Sequence, residues 1–325
     1  MTDCSVAAMR ALTLCMLLAI AGSATGQQAY PAKPIRFIVP YPPAGSTDPM
    51  ARMTAQKLAS KWGQPVIVDN RPGGNTIIGT EAVAKAAPDG YTILLVSPIF
   101  VASPSLLHPP YDAVKDFAAV ATIGKTQIVL VLNARVPANN LKEFIALAKT
   151  KPGQLNFGTT GVGGIVHLSG ELFNIMTGTK LQHIPYKGAV PLMADLIGAQ
   201  VDLSFQTIIA TISHIKSGKL KAIAITGETR SASLPQVPTY AEAGLPGYGV
   251  AAWFGIVAPA GTPKAIVDKI SSEVAAILVM PDILDYMAKQ GVEPFVSTPE
   301  QFAALIKSEL AMYADIIKVA NVKLD

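Results

Sequence analysis

The stretch from Ile35 to Val96 reads IRFIVPYPPAGSTDPMARMTAQKLASKWGQPVIVDNRPGGNTIIGTEAVAKAAPDGYTILLV. Ile35 to Val39 is a β-branched run and is predicted as a strand. Asp48 followed by Pro49 opens a helix, with Asp48 as N-cap and Pro49 at the first helical position. Met50, Met53 and Leu58 give that helix an apolar face, with Ala51 and Ala55 beside it. Val66 to Val68 is a second strand. A glycine-rich loop, Arg71 to Thr76, then leads into a helix through Ala87. Pro88-Asp89-Gly90 is a turn, and Tyr91 to Val96 is a third strand. Strand, helix, strand, helix, strand with short loops is the pattern of a parallel sheet covered by helices.

Working outward, the pattern recurs. Ile128 to Leu132 reads as a strand and Leu141 to Thr150 as a helix. A second glycine-rich loop, Gly158 to Gly164, feeds a helix from Ile165 to Met176. Leu181 to Pro185, Val201 to Phe205 and Leu220 to Ile225 read as further strands with helices between, and Trp253 to Ala258 as one more extended run. Thr262-Pro263 caps a helix to about Val279, and Thr298-Pro299-Glu300 caps the last helix, to about Val319. No linker rich in Gly, Ser or Pro separates the two α/β units, which suggests lobes joined by strands with a cleft between them.

Composition agrees. The chain has 325 residues, enough for about two domains. Half are hydrophobic and 15% are charged, the reverse of a disordered chain. Lys and Arg number 26 against 22 Asp and Glu and are scattered, so no nucleic-acid footprint stands out. Ala11 to Ala21 is an apolar run of eleven residues, against the ~20 that a spanning helix needs. Arg10 precedes it and Gly22 to Gly26 are small, the layout of a secretory signal peptide over residues 1–26, with cleavage between Ala24 and Gln27. Both cysteines, Cys4 and Cys15, lie in that leader, so the mature protein is expected to have neither a disulfide nor a thiolate.

Catalytic signatures are missing from the sequence: there is no G-x-S-x-G elbow, no phosphate loop and no H-E-x-x-H. His108, His167, His183 and His214 never fall at i, i+4 and read as surface or cap residues. What stands out instead is three loops, Pro40 to Asp48, Asn70 to Gly79 and Gly158 to Gly164. Each follows a strand and precedes a helix, rich in small residues and hydroxyls. In open α/β sheets ligands bind there, and helix N-termini offer free N–H groups and partial positive charge to an anion. The alternative is that these are simply tight turns.

At these loops the sequence resembles a known family. Tyr30 to Val96, together with Lys151 to Gly158 (KPGQLNFG), His167 to Phe173 (HLSGELF), Ile184 to Gly188 (IPYKG), Ile215 to Leu220 (IKSGKL) and Val257 to Pro263 (VAPAGTP), is similar to the Bug family. Those are periplasmic solute-binding proteins related to the receptors of tripartite tricarboxylate transporters. The resemblance implies a two-lobed α/β fold of the Venus-flytrap type, each lobe a largely parallel sheet covered by helices. Lobe 1 would be residues 30–126 plus 251–325, and lobe 2 residues 127–250.

It also implies a ligand carboxylate held by two lobe-1 loops, largely through backbone groups and ordered waters. The residues carried over are Tyr41, Ala44, Gly45, Ser46, Thr47 and Asp48 in one loop, and Gly74, Asn75, Thr76 and Ile77 in the other. Thr159, Thr160 and Gly161 close over the ligand from lobe 2, and Ser97, His167, Tyr186 and Gln206 complete the set. Phe100 is placed either on the ligand or in the core. The one cation of these loops, Arg71, precedes a proline and is expected to tie the loop down. Relatives often carry an acid or Asn where Gln206 stands, and an amide there disfavours a ligand ammonium. The expected ligand is a small organic acid, either a di- or tricarboxylate or an aromatic carboxylate. The expected protein is a periplasmic monomer without metal or cofactor that serves a membrane permease, or alternatively a sensor. A secreted hydrolase using cleft hydroxyls is the competing class.

Overall fold

The computed structural model describes residues 30–43, 47–249 and 252–319. The leader with its cysteines, and Ala44, Gly45 and Ser46 of the first loop, lie outside the described residues. The chain runs β1 (Ile35–Val39), α1 (Thr47–Trp62), β2 (Val66–Asn70), α2 (Ile77–Ala84), β3 (Thr92–Val96), α3 (Ile99–Leu107) and β4 (Phe117–Thr126). It continues as β5 (Ile128–Asn133), α4 (Leu141–Thr150), β6 (Asn156–Thr159), α5 (Ile165–Thr177), β7 (Gln182–Pro185), α6 (Ala189–Ile197), β8 (Leu203–Thr207), α7 (Ile208–Lys216) and β9 (Leu220–Ile225). It closes with β10 (Ala252–Pro259), α8 (Lys264–Leu278), α9 (Pro281–Gln290), β11 (Val292–Pro294) and α10 (Pro299–Val319).

Two sheets result. One has the order β11-β4-β10-β3-β1-β2, the other β7-β6-β8-β5-β9. Only Gln127 separates β4 from β5, so one extended run passes from the first sheet into the second. The strands that carry the loops are parallel: β1 with β2 and β3, and β6 with β7 and β8. The crossing strands are not. β10 runs antiparallel to β3 and β4, and β5 antiparallel to β8 and β9, so both sheets are mixed. A strand that enters a sheet from the neighbouring lobe is free of the helical crossover that forces parallel pairing.

Period-two alternation places both faces of β5 in apolar cores. Ile128, Leu130 and Leu132 enter a core with Phe144, Phe157, Phe173 and Phe205, while Val129 and Val131 enter another with Leu192, Leu196 and Ile208. In the first sheet, Phe100 stacks on Tyr111 and meets Phe117 edge-on, centroids 5.2 Å apart. Phe100 is therefore core, 1% exposed. Helix α10 lays Phe302, Ile306, Tyr313 and Ile317 on the same core, and one carboxylate, Glu309, stands in that stripe.

The structure departs from the sequence reading at definite places. α1 already includes Thr47, so Asp48 sits inside the first turn rather than at the cap. α2 ends at Ala84, three residues short of the expected end. β4, α3, α9 and β11 have no counterpart in the sequence reading. β4 reads FAAVATIGKT, poor in β-branched residues, and is a strand because β10 pairs along its length. α3 carries Pro104 inside it, which disguises a helix.

Candidate functional site

The loops at the carboxyl ends of the parallel strands converge on a cleft of about 710 Å³. Six helices begin on its wall: α1 at Thr47, with Asp48 in its first turn paired to Arg52, and five others, α2 behind Thr76, α3 behind Pro98, α5 behind Gly164, α6 behind Gly188 and α7 behind Thr207. Each of the five lacks a side-chain hydrogen bond at its cap and an acidic residue in its first turn. Helices elsewhere mostly provide their own negative group. Asn140 caps α4 by accepting from the Glu143 N–H at 2.9 Å, while Asp282 and Glu300 stand in the first turns of α9 and α10. α8 is an exception, uncapped and absent from the cleft wall. In α2, α3 and α7 part of the first turn is already satisfied by backbone, since the Ile77, Ile78, Phe100 and Ile208 N–H groups donate to the carbonyls of Gly74, Gly73, Ser97 and Gln127. The remaining first-turn N–H donors and the positive ends of the helix dipoles lie at the cavity wall.

Most of the sequence-derived residues meet there. Tyr41, Thr47, Gly74, Asn75, Thr76, Ser97, Thr160, Gly161, Tyr186 and Gln206 line the cleft. The second loop has positive φ at Gly73, Gly74, Asn75 and Thr76 in succession. For Asn75 and Thr76 this left-handed backbone is strained, and it turns the loop tightly at the start of α2. The Asn75 amide donates to the Val162 carbonyl at 3.1 Å, joining the first-sheet side of the cleft to the second. The Tyr41 and Ser97 hydroxyls are 2.5 Å apart, and burial pushes the Tyr41 phenol well above its ordinary value. The Tyr186 hydroxyl donates to Asp195 at 2.8 Å; burial first, and then that carboxylate, push the phenol up to about 12. Gln206 is 2% exposed and donates to the Ser204 hydroxyl at 2.9 Å, which donates on to the Gly158 carbonyl at 2.6 Å.

Five carried-over residues lie off the cleft wall. Phe100 is core, and Ile77 packs against the same cluster. Asp48 faces Arg52 at 2.8 Å and accepts from Asn70 at 2.9 Å, and Asn70 also donates to the Tyr41 carbonyl at 3.1 Å. Asp48 thus anchors the first loop from behind. Thr159 is fully buried, its hydroxyl 2.6 Å from His183 Nε2. His167 Nδ1 accepts from the Gly163 N–H at 2.9 Å. The two imidazoles stack with centroids 3.7 Å apart, against Phe157.

The reading of the histidines as surface or cap residues therefore fails for this pair, which braces the second glycine-rich loop. His108 does cap α3, and His214 lies in the last turn of α7. Burial first, then the neighbouring His167, lower His183 from 6.5 to about 4. The fold thus favours the neutral ring, a contribution that is full above about pH 6.5 and is lost as pH falls through about 4. We expect His183→Gln to flatten that acid limb by about 1 kcal/mol after solvent screening, read from urea melts. Parallel wild-type and variant profiles would remove His183 from the account.

Sequence reasoning misses Ile99, Val162, Lys187, Trp253 and Phe254 on the wall. Lys187 stands in a quoted motif and Trp253 is one of two tryptophans, but nothing local points either at the loops. Trp253 is 1% exposed, meets Phe302 edge-on and donates from Nε1 to Glu309 at 2.7 Å. Arg71 is held by Asp69 at 3.0 Å and does not line the cleft. Among the described residues no cluster of His, Cys, Asp and Glu could hold a metal ion, and no helix is long and apolar enough to cross a membrane.

Known proteins share this fold. Protein BugT of Bordetella pertussis is 38% identical, over 95% of this chain and 96% of its own. The structure of the periplasmic binding protein BugD superposes with a TM-score of 0.84 at 36% identity, covering 90% of this chain and 99% of that one. An R. palustris protein solved with adipate gives 0.87 at 32% identity, covering 90% of this chain and 99% of that one. MatC from Rhodopseudomonas palustris, with bound malate, gives 0.82 at 30%, covering 89% of this chain and all of its own. These structures bear out the two-lobed binding-protein fold. The model of the tripartite tricarboxylate transporter family receptor matches residues 50–322, and with it the chain belongs to that family, alongside the Bug proteins it resembles.

Proposed function

We propose that this chain captures a small organic carboxylate between its lobes in the periplasm and delivers it to a membrane permease. The observation that carries this reading is the set of five uncapped helix N-termini on one cleft wall. Sheet membership supports lobes of residues 30–126 plus 251–325 and of 127–250, with β4–β5 and the return into β10 as the crossings. The adipate and malate in two relatives support the ligand class. Charge-assisted hydrogen bonds contribute ~1.5–3 kcal/mol each. Three or four of them, less ordering and closure costs, give about −8 kcal/mol, or micromolar binding.

We read the cleft as binding without turnover. The Ser97 hydroxyl is paired with a phenol that burial keeps neutral, which is no general base. His167 and His183 are spent behind the loop. A thermal-shift screen of organic acids tests the reading. At about 100 times its Kd a ligand of the native state adds about 2.7 kcal/mol, and the melting midpoint rises. If no organic acid moves the midpoint, the reading fails.

A further inference from the structure

We propose that His167 is a positioning residue: from behind the cleft wall it fixes the Val162–Gly163 peptide, and through that peptide it holds a loop of each sheet in one arrangement around the ligand. The inference rests on the carboxylate reading above and concerns what keeps that site in shape. Two hydrogen bonds meet on this single peptide group. Its carbonyl, at Val162, accepts from the Asn75 side-chain amide at 3.1 Å, and its N–H, at Gly163, donates to His167 Nδ1 at 2.9 Å. In a trans peptide these groups point opposite ways, so the peptide is gripped from both sides. Asn75 belongs to the loop between β2 and α2, and His167 to α5.

The loop does not fix that peptide with side chains of its own. Gly161, Gly163 and Gly164 leave its backbone free to turn, and Gly163 has φ +77°. The Thr159 hydroxyl donates to the Gly161 carbonyl at 3.0 Å and secures the near end. Thr160, Gly161, Val162 and Gly164 line the cleft, whereas His167 is 5% exposed and lies off its wall. Accepting at Nδ1 places the ring proton on Nε2, which faces the Glu171 carboxylate at 3.6 Å. His183 stacks on the same ring from β7, and Phe157 packs beside it from β6. The ring is thus held at its edge and on its face, with its lone pair aimed at the loop. Without that acceptor the buried Gly163 N–H is left unpaired, so the peptide turns to find a partner and its carbonyl leaves Asn75.

The test separates an acceptor from a packing group. Leu at position 167 fills the space beside Phe157 and His183 and cannot accept, whereas Asn leaves a gap and puts Oδ1 near the place of Nδ1. Hydrogen exchange is followed by NMR on the full chain without ligand, at the Gly163 amide and at the Asn75 side-chain amide. His167→Leu should speed both by about tenfold or more, and His167→Asn should keep both within about threefold of the wild type. Asn75→Gly, which removes the opposite grip at a position with positive φ, should also speed the Gly163 amide, and it carries the test if His167→Leu does not fold. Calorimetry with adipate and with malate should rank the variants in the same order, with about tenfold weaker binding in His167→Leu. A packing role alone gives the reverse order, Leu milder than Asn, and would overturn the inference. So would an Asn75 amide that His167→Leu leaves unmoved. The exchange order decides the bridge without any ligand, so a failure of the carboxylate reading is seen separately, in the thermal-shift screen.

Discussion

Gly164→Asp is expected to weaken carboxylate binding by about 100-fold or more while making the protein slightly more stable, by about 0.5–1 kcal/mol. Gly164 is the cap residue of α5, with φ −75° and ψ 168°, a conformation that Asp adopts readily. A Cβ there has room, since the nearest heavy atom is Ile99 Cδ1 at 3.9 Å. The new carboxylate would accept from the first-turn N–H groups and occupy the ground offered to the ligand. Two like charges about 5 Å apart cost ~3 kcal/mol at an effective dielectric of about 20, hence the fold-change. Gly164→Asn caps the helix without the charge and should lose much less affinity. Opposite signs for stability and affinity separate this result from simple damage. A Gly164→Asp protein that binds its acid like the wild type would show that α5 takes no part.

Glu309→Gln is expected to stabilise the protein by roughly 2–3 kcal/mol at pH 8 and to change little at pH 4.5. Glu309 lies in the buried stripe of α10 and accepts from Trp253. Burial raises its carboxyl from 4.5 to about 7, and the Trp253 N–H only partly offsets this. The neutral form is thus favoured in the fold. Its contribution is full below about pH 4.5 and is lost as pH rises through about 7. Tyr313 faces it from the next turn, with its phenol pushed well above the ordinary value by burial and then by Glu309. Lys125, Glu228 and Glu293 share a cavity of about 480 Å³ with it, and Lys125 is paired with Glu293 at 3.5 Å. Gln keeps an acceptor for the indole and removes the buried charge. Urea denaturation across pH checks this, and superimposable profiles would contradict it.

The parts of the fold legible in the sequence are those with a local cause. Ile35 to Val39, Leu220 to Ile225 and the Asn140-capped helix from Leu141 are legible at their observed bounds. β4 is not legible, because its Ala and Gly residues become a strand only by pairing with β10, which lies far along the chain. The same division holds at the cleft. Glycine-rich junctions announce where backbone can meet a ligand, so Gly74, Asn75, Thr160 and Gly161 stand out in the sequence. Which way a side chain turns is set by packing. Thr159 turns inward to His183, Phe100 to its aromatic neighbours, and Asp48 to Arg52. Trp253 and Lys187 reach the site from elements distant in sequence, so no local pattern marks them.

The proposed function requires helix N-termini that bind a negative charge. Its most direct test is calorimetric comparison of the organic acid that shifts the melting midpoint most with the primary amide of that same acid. The amide keeps the shape and the apolar body and loses the charge. The acid is expected to bind at micromolar Kd and the amide at least ~100-fold more weakly. Equal affinity for acid and amide would contradict the proposed function.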